Sequence, residues 1–277
     1  MRDISPNGEL LLVGCGNMGR AMLRGWLSAG FVRPEKVHVV EPAETLRAEA
    51  GAMGVRTYVS ADTLDPGFKP TIIVLALKPQ VMAAALPVYR PHVVECVVIS
   101  IAAGVPVSVV EATLGGVPAV RAMPNTPASI GKGSTVIFAN ERVSRQQAEH
   151  VARLLSAGGA VHRVEQEALI DAATALSGSG PAYVFHFIEG LAEAGTKLGL
   201  PRQMAVSLAR ETVFGAAALA MEGDFSPAEL RRQVTSPGGT TEAAMRVLGE
   251  DCALQTLLAR AAEAAHRRAV ELAAQNA

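Results

Sequence analysis

The strongest constraint on the fold lies near the start of the chain, where Leu10-Leu11-Leu12-Val13 runs straight into Gly14-Cys15-Gly16-Asn17-Met18-Gly19. A short apolar strand, then G-x-G-x-x-G, then an amphipathic helical stretch leaves few folds open, because each glycine has a physical task. Gly14 permits a tight turn, Gly16 lets the backbone approach a pyrophosphate, and Gly19 lets the helix pack closely on a sheet. Free N–H groups at the helix start then face negative charge. The segment therefore reads as dinucleotide-binding, with Gly14, Cys15, Gly16, Asn17, Met18 and Gly19 as contacts. Taken alone, the motif also fits a glycine-rich structural turn.

The pattern around it supports the first reading. Strand candidates are Glu9–Val13, Lys36–Val40, Val55–Val59, Thr71–Leu77, Val93–Ile101 and Ala119–Met123. Between them lie helical stretches at Met18–Ala29, Ala43–Ala50, Gln80–Leu86 and Val107–Leu114. Such alternation implies a parallel sheet covered by helices. Two further strands, Ser134–Ala139 and Ala160–Val164, flank a helix at Ser144–Ser156. After Glu165 the texture turns to Ala, Leu, Glu and Arg, with helices expected at Pro181–Leu198, Pro201–Met221, Pro227–Val234, Thr241–Gly249 and Asp251–Ala274. Pro181, Pro201 and Pro227 sit where a first helical turn tolerates proline. The expected fold class is α/β: a Rossmann-type dinucleotide-binding domain over residues 1–165, then an all-α domain for dimerisation and substrate binding over residues 166–277. Small residues in these helices (Gly190, Gly195, Gly215 and Ala216–Ala218) allow close packing, either inside one monomer or across a dimer.

Composition excludes several classes. With 49% hydrophobic residues the 277-residue chain can bury a sizeable core, and a net charge of −1 gives no footprint for nucleic acid or an anionic membrane. Cys15, Cys96 and Cys252 are scattered and odd in number, which suits neither a disulfide framework nor a metal site and points to a reducing cytoplasm. Met1 to Glu9 carries Arg2, Asp3 and Pro6, so no targeting signal is expected. Apolar runs such as Thr71–Leu77 and Val97–Ala103 are too short to span a bilayer.

In open parallel sheets, ligands lie beyond the carboxyl ends of the strands. Four features fall there. Glu41 closes the second strand about 20 residues after Gly19, where an acid accepts hydrogen bonds from a ribose 2′-OH and repels a 2′-phosphate, which favours NADH. A solvated strand-end carboxylate is the plainer alternative. Ala76-Leu77-Lys78-Pro79 offers a lysine for phosphate or ribose, and Ile101-Ala102-Ala103 is small enough to lie flat beside a cofactor. Met123-Pro124-Asn125-Thr126-Pro127 presents an amide between two prolines. In the second domain, Ser236-Pro237-Gly238-Gly239-Thr240-Thr241 joins exposed backbone N–H groups, hydroxyls and a helix start into a small anion site, with Glu242 placed to cap that helix. An ordinary helix-linking turn is its alternative.

These segments, together with Leu176-Ser177-Gly178-Ser179-Gly180-Pro181-Ala182-Tyr183, occur in the order found in pyrroline-5-carboxylate reductases, and the chain resembles that family from Leu10 to about Arg267. The resemblance implies hydride transfer from NADPH or NADH to the imine carbon of 1-pyrroline-5-carboxylate, giving proline in amino-acid biosynthesis. It implies that Ser236, Gly238, Gly239, Thr240, Thr241 and Asn125 hold the substrate, with Ser236 and Thr241 as catalytic residues and the Thr241 hydroxyl on the ring nitrogen. It also implies that Met123, Pro124 and Asn125 border the cofactor, and that the chain forms a homodimer or a larger homo-oligomer such as a decamer of dimers. The family leans towards NADPH, against the sign of Glu41. His186, in the apolar run Val184–Ile188, reads as a core histidine. Lys197 would be the base of a rival 3-hydroxy-acid dehydrogenase, and a non-catalytic nicotinamide-sensing protein is the other alternative.

Overall fold

The computed structural model describes residues 8–94 and 96–276. Residues 1–7, expected to carry no targeting signal, lie outside the described residues. The elements run β1 Leu10–Val13, α1 Asn17–Ser28, β2 Val37–Val40, α2 Glu44–Gly51, β3 Arg56–Tyr58, β4 Ile72–Leu75, α3 Pro79–Ala85, β5 Val97–Ser100, α4 Val107–Leu114, β6 Ala119–Met123, β7 Gly133–Ala139, α5 Arg145–Leu155 and β8 Gly159–Arg163. Helices α6 Leu169–Ala173, α7 Gly180–Lys197, α8 Arg202–Glu222, α9 Pro227–Gln233, α10 Thr240–Gly249 and α11 Ala253–Asn276 follow.

Among the described residues the strands form one eight-stranded sheet in the order β3-β2-β1-β4-β5-β6-β7-β8. The first six are parallel, β7 runs antiparallel to β6, and β8 is parallel to β7. The sheet is therefore not wholly parallel as expected: β7, α5 and β8 form a βαβ unit of reversed direction. The strand order reverses direction at β1, which is where such sheets bind ligands.

Alternate residues of each strand enter opposite cores, as a period of two requires. Leu10, Leu12, Val37, Val39, Ile72 and Val74 meet Leu23 and Trp26 of α1 and Leu154 of α5 on one face. Leu11, Val13, Ile73, Leu75 and Val98 meet Met82 and Leu86 near α3 and Val110 and Leu114 of α4 on the other. With both faces covered, the strands read as unbroken apolar runs, as the sequence does. Strand β5 is shorter than the expected Val93–Ile101 and follows a 3-10 turn at Pro87–His92. The carboxyl ends of β4 and β5 likewise stop before Leu77 and Ile101, and those residues join the site loops.

Two helical features were not anticipated. Helix α6 precedes α7, and between them Thr174–Gly178 forms a π turn in which the Ser179 N–H donates to the Thr174 carbonyl at 2.8 Å. The chain divides into two compact units, residues 1–179 with 265–277 and residues 180–264.

In the second unit α7 and α8 pack together through Gly195 and Ala205. Their outer surfaces carry Phe185, Phe187, Phe214 and Met221, the last two 75% and 85% exposed. Helix α8 is 21 residues long with a mean hydropathy of 1.3 over its most apolar window, which makes it long and apolar enough to cross a membrane by length and composition only. That qualifies the expectation that every apolar run is too short. His186, expected in a core, has an 89% exposed side chain and sits 3.2 Å from Glu189; apolar residues surround α7 on several sides, so composition did not single out a buried face.

Candidate active site

The phosphate loop is built as its spacing requires. Gly14 adopts φ +88°, and a Cβ there would stand 2.6 Å from the Ala76 carbonyl oxygen. A Cβ on Gly19 would fall on the Gly14 carbonyl oxygen and lie 3.2 Å from the Ala76 Cβ. These two glycines thus lock the loop against the segment after β4. Gly16 differs: a Cβ there would meet nothing within 4 Å. The space over Gly16 is open to a ligand, and the start of α1 carries no side-chain cap and no acidic residue in its first turn. A helix whose first N–H groups are uncapped and unopposed by acid suits a pyrophosphate.

The loop is stapled from behind. Glu41, 6% exposed, accepts the Cys15 N–H at 2.7 Å on one carboxylate oxygen and the Ala43 N–H at 2.9 Å on the other. The Cys15 thiol is buried, and burial, reinforced by the Glu41 charge, pushes its pKa up to about 11. It stays protonated and serves as a small filler rather than a nucleophile. Arg47 of α2 donates to the carbonyls of Glu41 at 3.0 Å and Pro42 at 2.8 Å.

The other strand-end loops belong to the same unit. Lys78 is exposed at the start of α3. Ile101, Ala102 and Ala103 follow β5 and end at Gly104, whose φ is +66° and whose Cβ would stand 2.9 Å from Leu272 of α11. The Asn276 amide donates to the Gly104 carbonyl at 3.0 Å. After β6, Met123 and Pro124 lead to Asn125, whose side chain spans two segments: Nδ2 donates to the Ser177 carbonyl at 3.1 Å, and Oδ1 accepts the Ser134 N–H at 2.9 Å. A Cβ on Gly178 would come within 2.8 Å of the Met123 Cε, so the π turn lies directly on this loop. π turns recur at functional positions because they re-aim part of a helix.

A buried ion network, absent from the expectations, supports these loops. Arg121 of β6 donates to Asp171 of α6 at 2.6 Å and to Glu167 at 3.4 Å. Glu167 also accepts the Val107 N–H at 2.8 Å, at the first residue of α4. One arginine thereby ties β6, α4 and α6 together. The signal was present in the sequence, since a charge inside the buried strand Ala119–Met123 requires a partner.

In the second unit, the Ser236–Thr241 segment is a turn leading into α10. Gly238 has φ +72°, the Gly239 N–H donates to the Ser236 carbonyl at 3.0 Å, and a Cβ on Gly239 would strike Ser236 Oγ at 2.6 Å. A side chain at 239 would require that hydroxyl to turn away. Glu242 reaches back to the Gly238 N–H at 3.0 Å, one residue before the helix cap at Gly239, and is held by Arg246 at 3.2 Å. The expected cap is thus displaced by one position. Helix α10 has no side-chain cap at Gly239 and carries Glu242 in its first turn, and the N–H groups of that turn have no intrahelical acceptor.

Fold and glycine loop together are those of the Rossmann-type, dinucleotide-binding class of proteins. A family model described as pyrroline-5-carboxylate reductase dimerisation matches residues 167–272, and one described as NADP oxidoreductase, coenzyme F420-dependent, matches residues 9–104. The chain is 40% identical to the pyrroline-5-carboxylate reductase of Pseudomonas aeruginosa over 270 residues, 96% of this chain and 97% of that one. The solved structure of the Coxiella burnetii pyrroline-5-carboxylate reductase superposes with a TM-score of 0.88 at 38% identity, covering 96% of this chain and 98% of that one. That of the Plasmodium falciparum pyrroline carboxylate reductase with NADP bound does so with a TM-score of 0.83 at 29% identity, with coverage of 96% and 98%. The chain belongs to the pyrroline-5-carboxylate reductase family. It is an NAD(P)H-dependent oxidoreductase that reduces the imine of 1-pyrroline-5-carboxylate to proline, and it forms homo-oligomers through its helical domain. Membership displaces both the 3-hydroxy-acid dehydrogenase reading and the non-catalytic sensing reading.

Proposed function

We propose that the reaction is divided between the two domains, residues 1–165 holding the dinucleotide and residues 166–277 holding the imino acid. The observation that carries this is the Ser236–Thr241 turn at the uncapped start of α10, which offers hydroxyls and N–H groups to a small anion. The substrate carboxylate is held by Ser236, Thr240 and the N–H groups of Thr240 and Thr241, while Gly238 and Gly239 shape the turn. The Thr241 hydroxyl donates to or accepts from the ring nitrogen according to that nitrogen's protonation.

On the cofactor side, Gly14 to Gly19 cradle the pyrophosphate, Glu41 braces the loop, and Ala76 to Pro79, with Lys78, border the ribose and phosphates. Ile101, Ala102, Ala103, Met123 and Pro124 line the nicotinamide end. Asn125 retains one amide hydrogen beyond its internal contacts for cofactor or substrate. When bound, the reduced nicotinamide supplies the hydride. The chain's own contribution is orientation: holding two reactants in register removes about 7–11 kcal/mol of a bimolecular barrier. A protonated imine is already electrophilic, so no lysine or histidine base enters, and Lys197 and His186 stay outside the chemistry.

Thr241→Ala removes the hydroxyl partner of the ring nitrogen. Turnover should fall by about 10²-fold or more, a loss of about 2.7 kcal/mol of transition-state stabilisation, with dinucleotide affinity unchanged. Steady-state kinetics beside a binding titration check this, and unaltered kcat would remove Thr241 from the mechanism.

The exposed apolar face of α7 and α8 is the surface a second copy covers. The assembly is a homodimer or a larger homo-oligomer, of which a decamer of dimers is one form, and the enzyme works in the cytoplasm with no part for nucleic acid or membrane. Light scattering at micromolar concentration should give a mass at least twice 28.8 kDa; a fully active monomer would contradict a shared helical interface.

A further inference from the structure

The acid that closes β2 and the arginine that follows it point in directions their order in the chain does not reveal. Glu41 turns inward: each of its oxygens takes a backbone N–H, from Cys15 and from Ala43, and the residue is 6% exposed. An acid that reads a ribose must offer an oxygen outward. Arg47 lies at the same strand end. One of its terminal nitrogens, Nη1, is fixed by the carbonyls of Glu41 and Pro42. Three nearby cations are committed to carboxylates, Arg20 to Glu49 and both Arg56 and Lys36 to Glu9. Arg47 makes no ion pair among the described residues. Its Nε and Nη2 edge, three N–H groups in a planar fork, keeps the geometry that suits a phosphate bidentately.

We infer that Arg47 reads the adenosine 2′-phosphate while Glu41 braces the phosphate loop, so that NADPH is the preferred dinucleotide. The inference rests on the dinucleotide site proposed above and reverses the sign that Glu41 gives when read from its position alone. Two N–H donors already offset the Glu41 charge, whereas Arg47 meets two carbonyl oxygens and no carboxylate in an ion pair among the described residues. Glu44, exposed in the first turn of α2, is the nearby acid that opposes a phosphate. It is a solvated charge with no ion pair among the described residues, and water screens it.

Calorimetric titration of the cofactor-free protein with NADPH, NADH, adenosine 2′,5′-bisphosphate and 5′-AMP tests this without turnover. NADPH should bind at least about tenfold more tightly than NADH, and the bisphosphate should exceed 5′-AMP by a similar factor, the size of one charge-assisted contact. Arg47→Ala should bring both ratios to within about twofold, chiefly by weakening the ligands that carry a 2′-phosphate, and Arg47→Lys should restore part of the difference because a point charge replaces the fork. Glu41→Gln should weaken NADH and NADPH together. Tighter NADH binding in the unaltered protein, an unchanged ratio in Arg47→Ala, or a Glu41→Gln protein that gains NADPH and loses NADH would overturn the assignment. Failure of every dinucleotide to bind would instead overturn the phosphate-loop reading on which it stands.

Discussion

Gly16→Val should abolish dinucleotide binding while leaving the fold intact. The three glycines of the loop have different neighbours, and the experiment depends on that difference. Side chains at Gly14 or Gly19 collide with backbone inside the protein, and Gly14 also holds φ +88°. Substitutions there are expected to deform the loop and lower stability together with binding. Gly16 has an ordinary backbone conformation, φ −63°, and open space where its Cβ would be. Valine at this position should therefore change stability by about 0.5 kcal/mol or less, the scale of surface substitutions. Its branched side chain would stand where a pyrophosphate must approach the N–H groups of α1. Thermal melts of the free protein should be superimposable, and a titration with NADPH should show affinity lowered by 10²-fold or more, as expected when about 3 kcal/mol of phosphate contact is lost. Cofactor affinity within a few fold of the unaltered protein would remove the loop from the binding site, and a large loss of stability would show that Gly16 is a packing glycine like its neighbours.

Much of this architecture is written in local pattern. Short buried strands and amphipathic helices announce themselves by period, and β1 to β4, β6 to β8 and most helices begin within a few residues of their expected positions. The failures share a cause: they depend on contacts between segments far apart in sequence. The stretch Thr174–Gly180 is rich in serine and glycine and reads as loop. It is helical, and two contacts with distant segments hold it, Asp171 on Arg121 and the Ser177 carbonyl accepting from Asn125. His38, in an otherwise apolar strand, is buried because the Tyr58 hydroxyl lies 2.9 Å from its Nδ1 on the neighbouring strand.

The site shows the same division. The motif positions of Gly14 to Gly19 and Ser236 to Thr241 are legible because glycine spacing is itself the geometry. The aim of a long side chain is not. Glu41 was identified as a strand-end acid near the cofactor, yet its direction depends on N–H groups that only the folded loop presents. Arg121 is the opposite case: a charge within an apolar strand signals a buried partner, although the sequence does not say which of 26 acidic residues supplies it.

The largest expected loss of stability follows from that network. Asp171→Ala should destabilise the protein by about 3–5 kcal/mol, because it leaves the Arg121 guanidinium buried with most of its compensation gone. The side chains of Arg121 and Asp171 are 4% and 10% exposed and meet at 2.6 Å, so little water can replace the lost carboxylate. Glu167 remains, but at 3.4 Å and already engaged by the Val107 N–H. Such a loss is a large share of a total stability of about 5–15 kcal/mol, so denaturation should begin at markedly lower urea concentration. A double replacement, Arg121→Met with Asp171→Leu, should recover much of the loss, since it removes both charges and keeps the volume apolar. Recovery would attribute the damage to the orphaned charge rather than to a cavity. Both proteins should be compared at one concentration, because oligomerisation adds to apparent stability. A loss below about 1 kcal/mol in Asp171→Ala would mean that water or Glu167 compensates Arg121 fully. It would also mean that α6 and the π turn owe their position to the apolar contacts of Ile170 and Ala175 instead.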